Sequence, residues 1–236
     1  MSSEASLKAS LDSLDAATRI TEFVADGSAV TAVALGCERL ALWVNTIRSA
    51  EPENPSLPFL FEMQRSSHDV AALLATAFYV PAAAAMRSSC ETAMYYSFFR
   101  SHTVELTTLA TDPSYYISKK EILDFHKQHS PAYVNNARDF GFPSILNEWY
   151  SRVSAVVHGQ LPGAWGRRVS LDKTKHDQKV LAVALKTFAE GVHVIDLFLL
   201  LTVGAELWGR VHHESKKLLL KGVPAPKRAL LGLDGH

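Results

Sequence analysis

Apolar residues recur along this chain at intervals of three and four, the repeat of one face of an α-helix, and no strand–turn–strand pattern interrupts them. A first helix is predicted over about residues 5–24, ended by Asp26-Gly27. Ser28 is expected to cap a second, to about residue 47, with Val33, Cys37, Leu40 and Val44 on one face. Residues 51–58 hold three prolines and read as a loop. Val70, Leu73, Leu74, Ala77 and Phe78 then mark another helix, and Pro81 either starts the next one or kinks a continuous one over 82–101.

Further on, a short helix ends at Asp112-Pro113. Ser118 with Glu121 forms a capping box that opens a helix to about residue 129. Ser130-Pro131 opens another, closed near Gly141, and Pro143 starts a helix that stops at His158-Gly159. Residues 161–175, with Pro162, Gly163 and Gly166, read as a loop. A long helix over about 175–220 follows, with Gly191, Gly204 and Gly209 as points of interruption, and a tail helix after Pro226. The expectation is an all-α, multi-helix bundle with a long C-terminal helix, formed as one domain over 1–236. Its N-terminal helices and loop occupy 1–58, its core 59–221 and its tail 222–236.

Composition agrees with a packed core: 47% of the 236 residues are apolar and 20% charged. Lysine plus arginine balances aspartate plus glutamate at 24 each, so no global charge calls for a nucleic-acid or membrane partner. The exception is local, a run of Arg210, Lys216, Lys217, Lys221, Lys227 and Arg228 against Glu214. Both cysteines, Cys37 and Cys90, fall in apolar helical patterns and read as reduced core thiols, which points to a cytoplasmic protein. The N-terminus lacks the basic start and apolar run of a signal peptide. Residues 192–208 are the most apolar, but His193, Asp196 and Glu206 within them favour a core helix over a membrane span.

Candidate chemistry lies on the helix that ends at Gly159. With a turn of about 100° per residue and Tyr150 as origin, Ser154 lies at about 40°, Asn147 at about 60° and His158 at about 80°. The four form a polar stripe beside an apolar face of Leu146, Trp149, Val153, Val156 and Val157. Arg152 lies about 120° from His158, on the far border of that face. On the helix after Pro81, Arg87 and Glu91 share a face with Met94 and Phe98, which suggests a partly buried ion pair. Spacing leaves two readings of the stripe open: a water-facing boundary, or part of a functional constellation.

Together these residues carry a resemblance. Arg87-Ser88-Ser89-Cys90-Glu91, followed about sixty residues later by Tyr150-Ser151-Arg152-Val153-Ser154-Ala155-Val156-Val157-His158-Gly159, resembles the R-S-x-x-E and Y-x-x-x-S-x-x-x-H-G motifs of prokaryotic helical proteins related to the HEPN superfamily. His68-Asp69 with Leu73-Leu74 is similar to that group's preceding helix. The resemblance spans about residues 60–160 and implies a HEPN-like core. It also implies a metal-independent ribonuclease of toxin or phage-defence type, without cofactor, acting as a homodimer on RNA, with an antitoxin or other protein partner. That superfamily's mark is an arginine, about four to six residues, then a histidine; Arg152 and His158 match it as catalytic residues, with Val153 where a polar residue is usual.

An arginine fork suits charge developing on a phosphoryl group, and a histidine suits the proton movement. The angle between Arg152 and His158 implies a site composed across a two-fold axis. Arg87, Glu91, Asn147, Tyr150 and Ser154 are its expected supporting network. Trp165, Arg167 and Arg168 are candidates to stack on and clamp a nucleotide, although Trp165 also reads as an ordinary exposed loop aromatic. The alternative function is a non-catalytic interaction or scaffold module in which the same network sets helix register; a small-molecule-binding bundle is a third.

Other chemistries lack their parts. Glu190 and His193 supply one Glu-x-x-His motif where a di-iron bundle needs two. His126 with His129, and His212-His213-Glu214, read as solvated faces rather than zinc ligands. No phosphate-binding glycine loop or nucleophile elbow is present, and Ser154, one turn from His158, has no oxyanion hole. No metal is expected.

Overall fold

Two short polar signals decide how the N-terminal helices divide. In a computed structural model that describes residues 3–166 and 171–231, helix α1 (Ser3–Asp12) is separated from α2 (Ala16–Ala25) because Asp15 accepts a hydrogen bond from the Thr18 amide and caps a new helix. The expected single helix over 5–24 is therefore two. Asp26, rather than Ser28, caps α3 (Gly27–Ala50): its carboxylate accepts from the amides of Ser28 and Ala29 and from the Ser28 hydroxyl. Aspartate wins because its charge also complements the positive end of the helix.

Pro58 lies in the first turn of α4 (Leu57–Ala75), where its missing N–H has no helical partner to lose. A Schellman turn then separates α4 from α5 (Tyr79–Phe99), with bonds from Phe78 N to Leu73 O and from Ala77 N to Leu74 O. Ala77 takes the left-handed position at φ 60°, usually glycine's. Pro81 is thus the third residue of α5, in the first turn of a new helix that starts two residues before it, and it does not kink a continuous one.

Helix α6 (Thr103–Thr111) precedes α7 (Lys119–His129), whose expected Ser118–Glu121 capping box is present in both directions. Helix α8 (Tyr133–Asp139) leads to α9 (Phe142–Val157), which ends in a second Schellman turn at His158 and Gly159. Gly159 has φ 67°, so the glycine fixes His158 as the last residue before the chain reverses.

Helix α10 (Gln178–Leu199) packs against α3, α5 and α9 and forms the axis of the bundle. Two glycines permit these approaches. A Cβ at Gly36 would stand 2.5 Å from Phe188, and one at Gly191 would stand 2.5 Å from Trp149. Gly191 is thus a contact point in an unbroken helix. The helix loosens later, through a π-turn at Leu200–Gly204, a turn at Ala205–Leu207 and a 3-10 turn at Trp208–Arg210, before α11 (His213–Leu219) and α12 (Ala225–Leu230). No strand occurs among the described residues, and the chain is all-α.

Two partly buried ion clusters tie distant segments. Asp196 on α10 pairs with Arg39 on α3 and accepts from Trp43, while Arg39 also donates to the carbonyls of Leu218 and Leu219, which docks the end of α11. Glu51 accepts from Arg100, Tyr96 and Asn54, joining the 51–56 loop to the end of α5, and Arg100 pairs also with Glu206. Gly27–Ala50 and Gln178–Gly204 have the length and apolar character of membrane spans, but 78% of the second is buried inside the fold, as a core helix would be.

Candidate functional site

The face of α5 that carries Arg87 and Glu91 meets the polar stripe of α9 along a groove whose third wall is the start of α7. Arg87 Nε donates to Glu91 Oε1 at 2.9 Å, the intrahelical pair expected from their spacing; both side chains are half-buried, at 24% and 33% exposure. Glu91 Oε1 also accepts from the Tyr150 hydroxyl at 2.5 Å. The Arg87 guanidinium lies 5.1 Å from the centre of the Tyr150 ring, and Lys119 Nζ lies 4.1 Å from it. Lys119 donates to Asn147 Oδ1 at 3.3 Å. Three helices therefore surround one tyrosine with two cations and one carboxylate.

At the open end of this groove, Arg87 Nη1 stands 2.8 Å from Nε2 of His158, which is exposed. An arginine can only donate, so Nε2 accepts and the His158 proton sits on Nδ1. The C-cap position matters: the α9 helix ends there, and the imidazole projects past the last turn toward α5.

Charge is held firmly in this groove. Burial disfavours the Arg87 charge, but the hydrogen bond and charge of Glu91 outweigh it and raise the guanidinium pKa. Burial, followed by the Glu91 hydrogen bond and charge, pushes the Tyr150 phenol well above its ordinary value, so it stays protonated as a donor. Burial pulls Lys119 down, and neighbouring Arg87 adds to that. Beneath the groove, burial pushes the Cys90 thiol up to about 12, which leaves it inert. Cys37 and Cys90 are both free thiols, the first half-buried and the second buried.

The remaining sequence candidates separate. Arg152 projects from the opposite side of α9 and pairs with Glu190 on α10, so within one chain Arg152 and His158 do not converge, in keeping with their angle. Ser154 does not join the network: its hydroxyl is buried and has no hydrogen-bond partner. Trp165 is buried at 5% exposure, not an exposed loop aromatic, and Arg167 and Arg168 lie outside the described residues.

His126 is likewise no solvated residue. It is 3% exposed, with Nε2 at 2.9 Å from Ser97 Oγ and Nδ1 at 2.6 Å from Ser130 Oγ. Burial came from tertiary packing of α7 on α5: His126 follows buried Ile122 by one turn, but Lys127 and Gln128 after it give the segment a polar look. Lys119 is the groove residue that sequence reasoning missed; its only signal was its place just after the capping serine. The basic run near the C-terminus is dispersed: Lys217 pairs with Glu214, Lys227 covers the Phe140 ring, and Arg228 donates to the carbonyls of Val223 and Leu220. Among the described residues no group of three or more His, Cys, Asp or Glu side chains could hold a metal ion.

Compared with models of known protein families, with curated proteins and with solved structures, the chain has no match.

Proposed function

We propose that this chain is an RNA-directed helical protein of HEPN-like type whose working groove lies between α5, α7 and α9, with Arg87 and His158 as its reacting pair and Lys119 as a second phosphate contact. The observation that supports this reading best is the 2.8 Å contact between an arginine anchored in the groove and a histidine exposed at its mouth. Arg87 keeps donors beyond those used on Glu91 and His158, and the Glu91 carboxylate aims the guanidinium fork. When a phosphodiester enters, Arg87 Nη1 transfers from the imidazole to a phosphoryl oxygen. His158 Nε2 is then free to accept the 2′-hydroxyl proton.

The 2′-oxygen attacks phosphorus and the P–O5′ bond breaks, giving a 2′,3′-cyclic phosphate and a 5′-hydroxyl. The proton carried by His158 is returned to O5′. No metal is required, because Arg87 and Lys119 offset the charge of the pentavalent state. Arg152 takes part only if a second copy of the chain brings it to the groove, and this reading assigns it no role.

Glu91 accepting from both Arg87 and Tyr150 favours a second reading, a network that sets the register of α5 on α9. The test is RNA cleavage in the presence of a chelator, with products analysed for a cyclic phosphate end. His158→Ala and Arg87→Ala are expected to lose cleavage with folding retained. No cleavage and no RNA binding by the wild type removes the RNA reading; loss of folding in both variants favours the register network.

A further inference from the structure

A second feature lies about 12 Å back along α5 from Arg87, at the helix N-terminus. It is a half-open cavity of about 380 Å³ whose lining includes Phe78, Tyr79 and Trp165 together with Lys173, Thr174 and Lys175. That volume is within the range of small-molecule sites. Its aromatic walls are anchored: Tyr79 and Trp165 are 4% and 5% exposed, and the Tyr79 hydroxyl is held 2.9 Å from His176 Nδ1.

Positive potential converges on this space from three sources. Lys173 and Lys175 are exposed at its rim. The 21-residue helix α5 begins here with no side-chain cap hydrogen bond, and its first two residues, Tyr79 and Val80, line the cavity. Behind the wall lies Arg19, 4% exposed, its guanidinium 5.8 Å from the Phe78 ring centre and its Nη1 3.5 Å from the Thr174 carbonyl.

Arg19 is the unusual element. Among the described residues its guanidinium donates to the carbonyls of Asp15 and Thr174, and Nη2 is buried without a hydrogen-bond partner, as is the Thr174 hydroxyl. Among the described residues it has no ion pair, and a buried guanidinium without one is costly. Among the described residues, the carboxylate on the cavity wall is that of Asp177, engaged as the cap of α10 and accepting from the amides of Lys179 and Val180.

We propose that this cavity binds a small aromatic anion, its ring lying against Tyr79 and Trp165 and its carboxylate or phosphate between the two lysines and the start of α5. Arg19 acts from behind the wall as a fixed positive charge. The site is separate from the α5–α9 groove and stands whether or not that groove handles RNA.

Benzoate and phenyl phosphate, titrated against the full chain by calorimetry, test the two anion types; benzamide and inorganic phosphate test each half of the ligand alone. At least one aromatic anion is expected to bind about tenfold or more tightly than either half, and to raise the melting temperature. Lys173→Glu with Lys175→Glu is expected to weaken it about tenfold while leaving the unliganded melting temperature unchanged, and His158→Ala is expected to leave it unaffected. Absence of binding at millimolar ligand, equal binding of benzamide, or undiminished binding by the double variant overturns the proposal.

Discussion

Arg87 on α5 and His158 at the end of α9, 71 positions apart in the chain, meet at 2.8 Å, whereas Arg152, only six positions before His158, pairs with Glu190 on another helix. The arginine that approaches the histidine in space is not the one adjacent to it in the motif. This relationship assigns the two arginines different consequences when they are removed.

Arg152→Ala deletes an exposed pair and is expected to cost less than about 1 kcal/mol of stability and to leave RNA cleavage intact. Arg87→Ala and His158→Ala are expected to lower cleavage by about 100-fold or more, the scale of losing positioned proton transfer and charge stabilisation. Chelated cleavage assays beside thermal melts measure both. Loss of activity in Arg152→Ala would instead favour a site shared between two copies of the chain.

The Glu51–Arg100 clamp is expected to respond far more strongly than its neighbours on the surface. Both side chains are largely buried, at 12% and 15% exposure, and Tyr96 and Asn54 also converge on Glu51. Arg100→Met leaves that carboxylate only the exposed Arg210, 3.9 Å away, as a counter-ion and is expected to cost about 3 kcal/mol in denaturant unfolding. Arg65→Met, which removes an exposed helical pair with Glu62 and Asp69, is expected to cost less than about 1 kcal/mol.

Gly191→Ala places a methyl 2.5 Å from Trp149 Cζ2, and Gly36→Ala places one 2.5 Å from Phe188 Cε1. Alanine favours helix by about 1 kcal/mol at an open position, yet here overpacking is expected to dominate and cost about 1–3 kcal/mol. Trp149 also donates to the Thr187 carbonyl at 2.8 Å, so the ring has little freedom to retreat. Unfolding midpoints of the two variants check the sign; stabilisation by either would contradict the close approach.

Acid should destabilise the fold through His126. Burial, with smaller contributions from Arg100 and His102, lowers its pKa from 6.5 to about 4. The unfolded chain therefore binds the proton first as pH falls. Stability contributed by the neutral imidazole is complete above about pH 6.5 and is lost progressively down to about pH 4, by roughly 3 kcal/mol. His126→Gln, which keeps polar atoms near Ser97 and Ser130, is expected to be less stable at neutral pH and to flatten this dependence. Melting temperatures measured from pH 7.5 to 4 distinguish the two.

Helix positions were legible wherever the signal is local. The Ser118–Glu121 capping box and the Gly159 stop lie where the sequence puts them, because a cap involves residues only a few positions apart. Errors came where two local signals compete. Asp15 and Asp26 outbid a continuous helix and a serine cap, and a Schellman turn with alanine at its left-handed position ended α4 where no glycine announced it. The burial of His126 and Trp165 was not legible, because Trp165 lies in a loop without a periodic face and only Ile122 shares the buried face of His126 on its short, largely charged helix.

By itself, the sequence determined that this is an all-α chain, that Arg87 and Glu91 share one helix face, and that Tyr150 and His158 share another; each follows from a 3.6-residue repeat within a single helix. Tertiary structure alone decided which faces meet. It brought Lys119 to Tyr150, Arg87 to His158, and Arg19 to the wall of a cavity formed by segments more than fifty positions away. The physical reason is that helix periodicity is set by backbone geometry over a few residues. The pairing of faces depends on packing shape, such as the space left at Gly36 and Gly191, which no residue carries in its own neighbourhood.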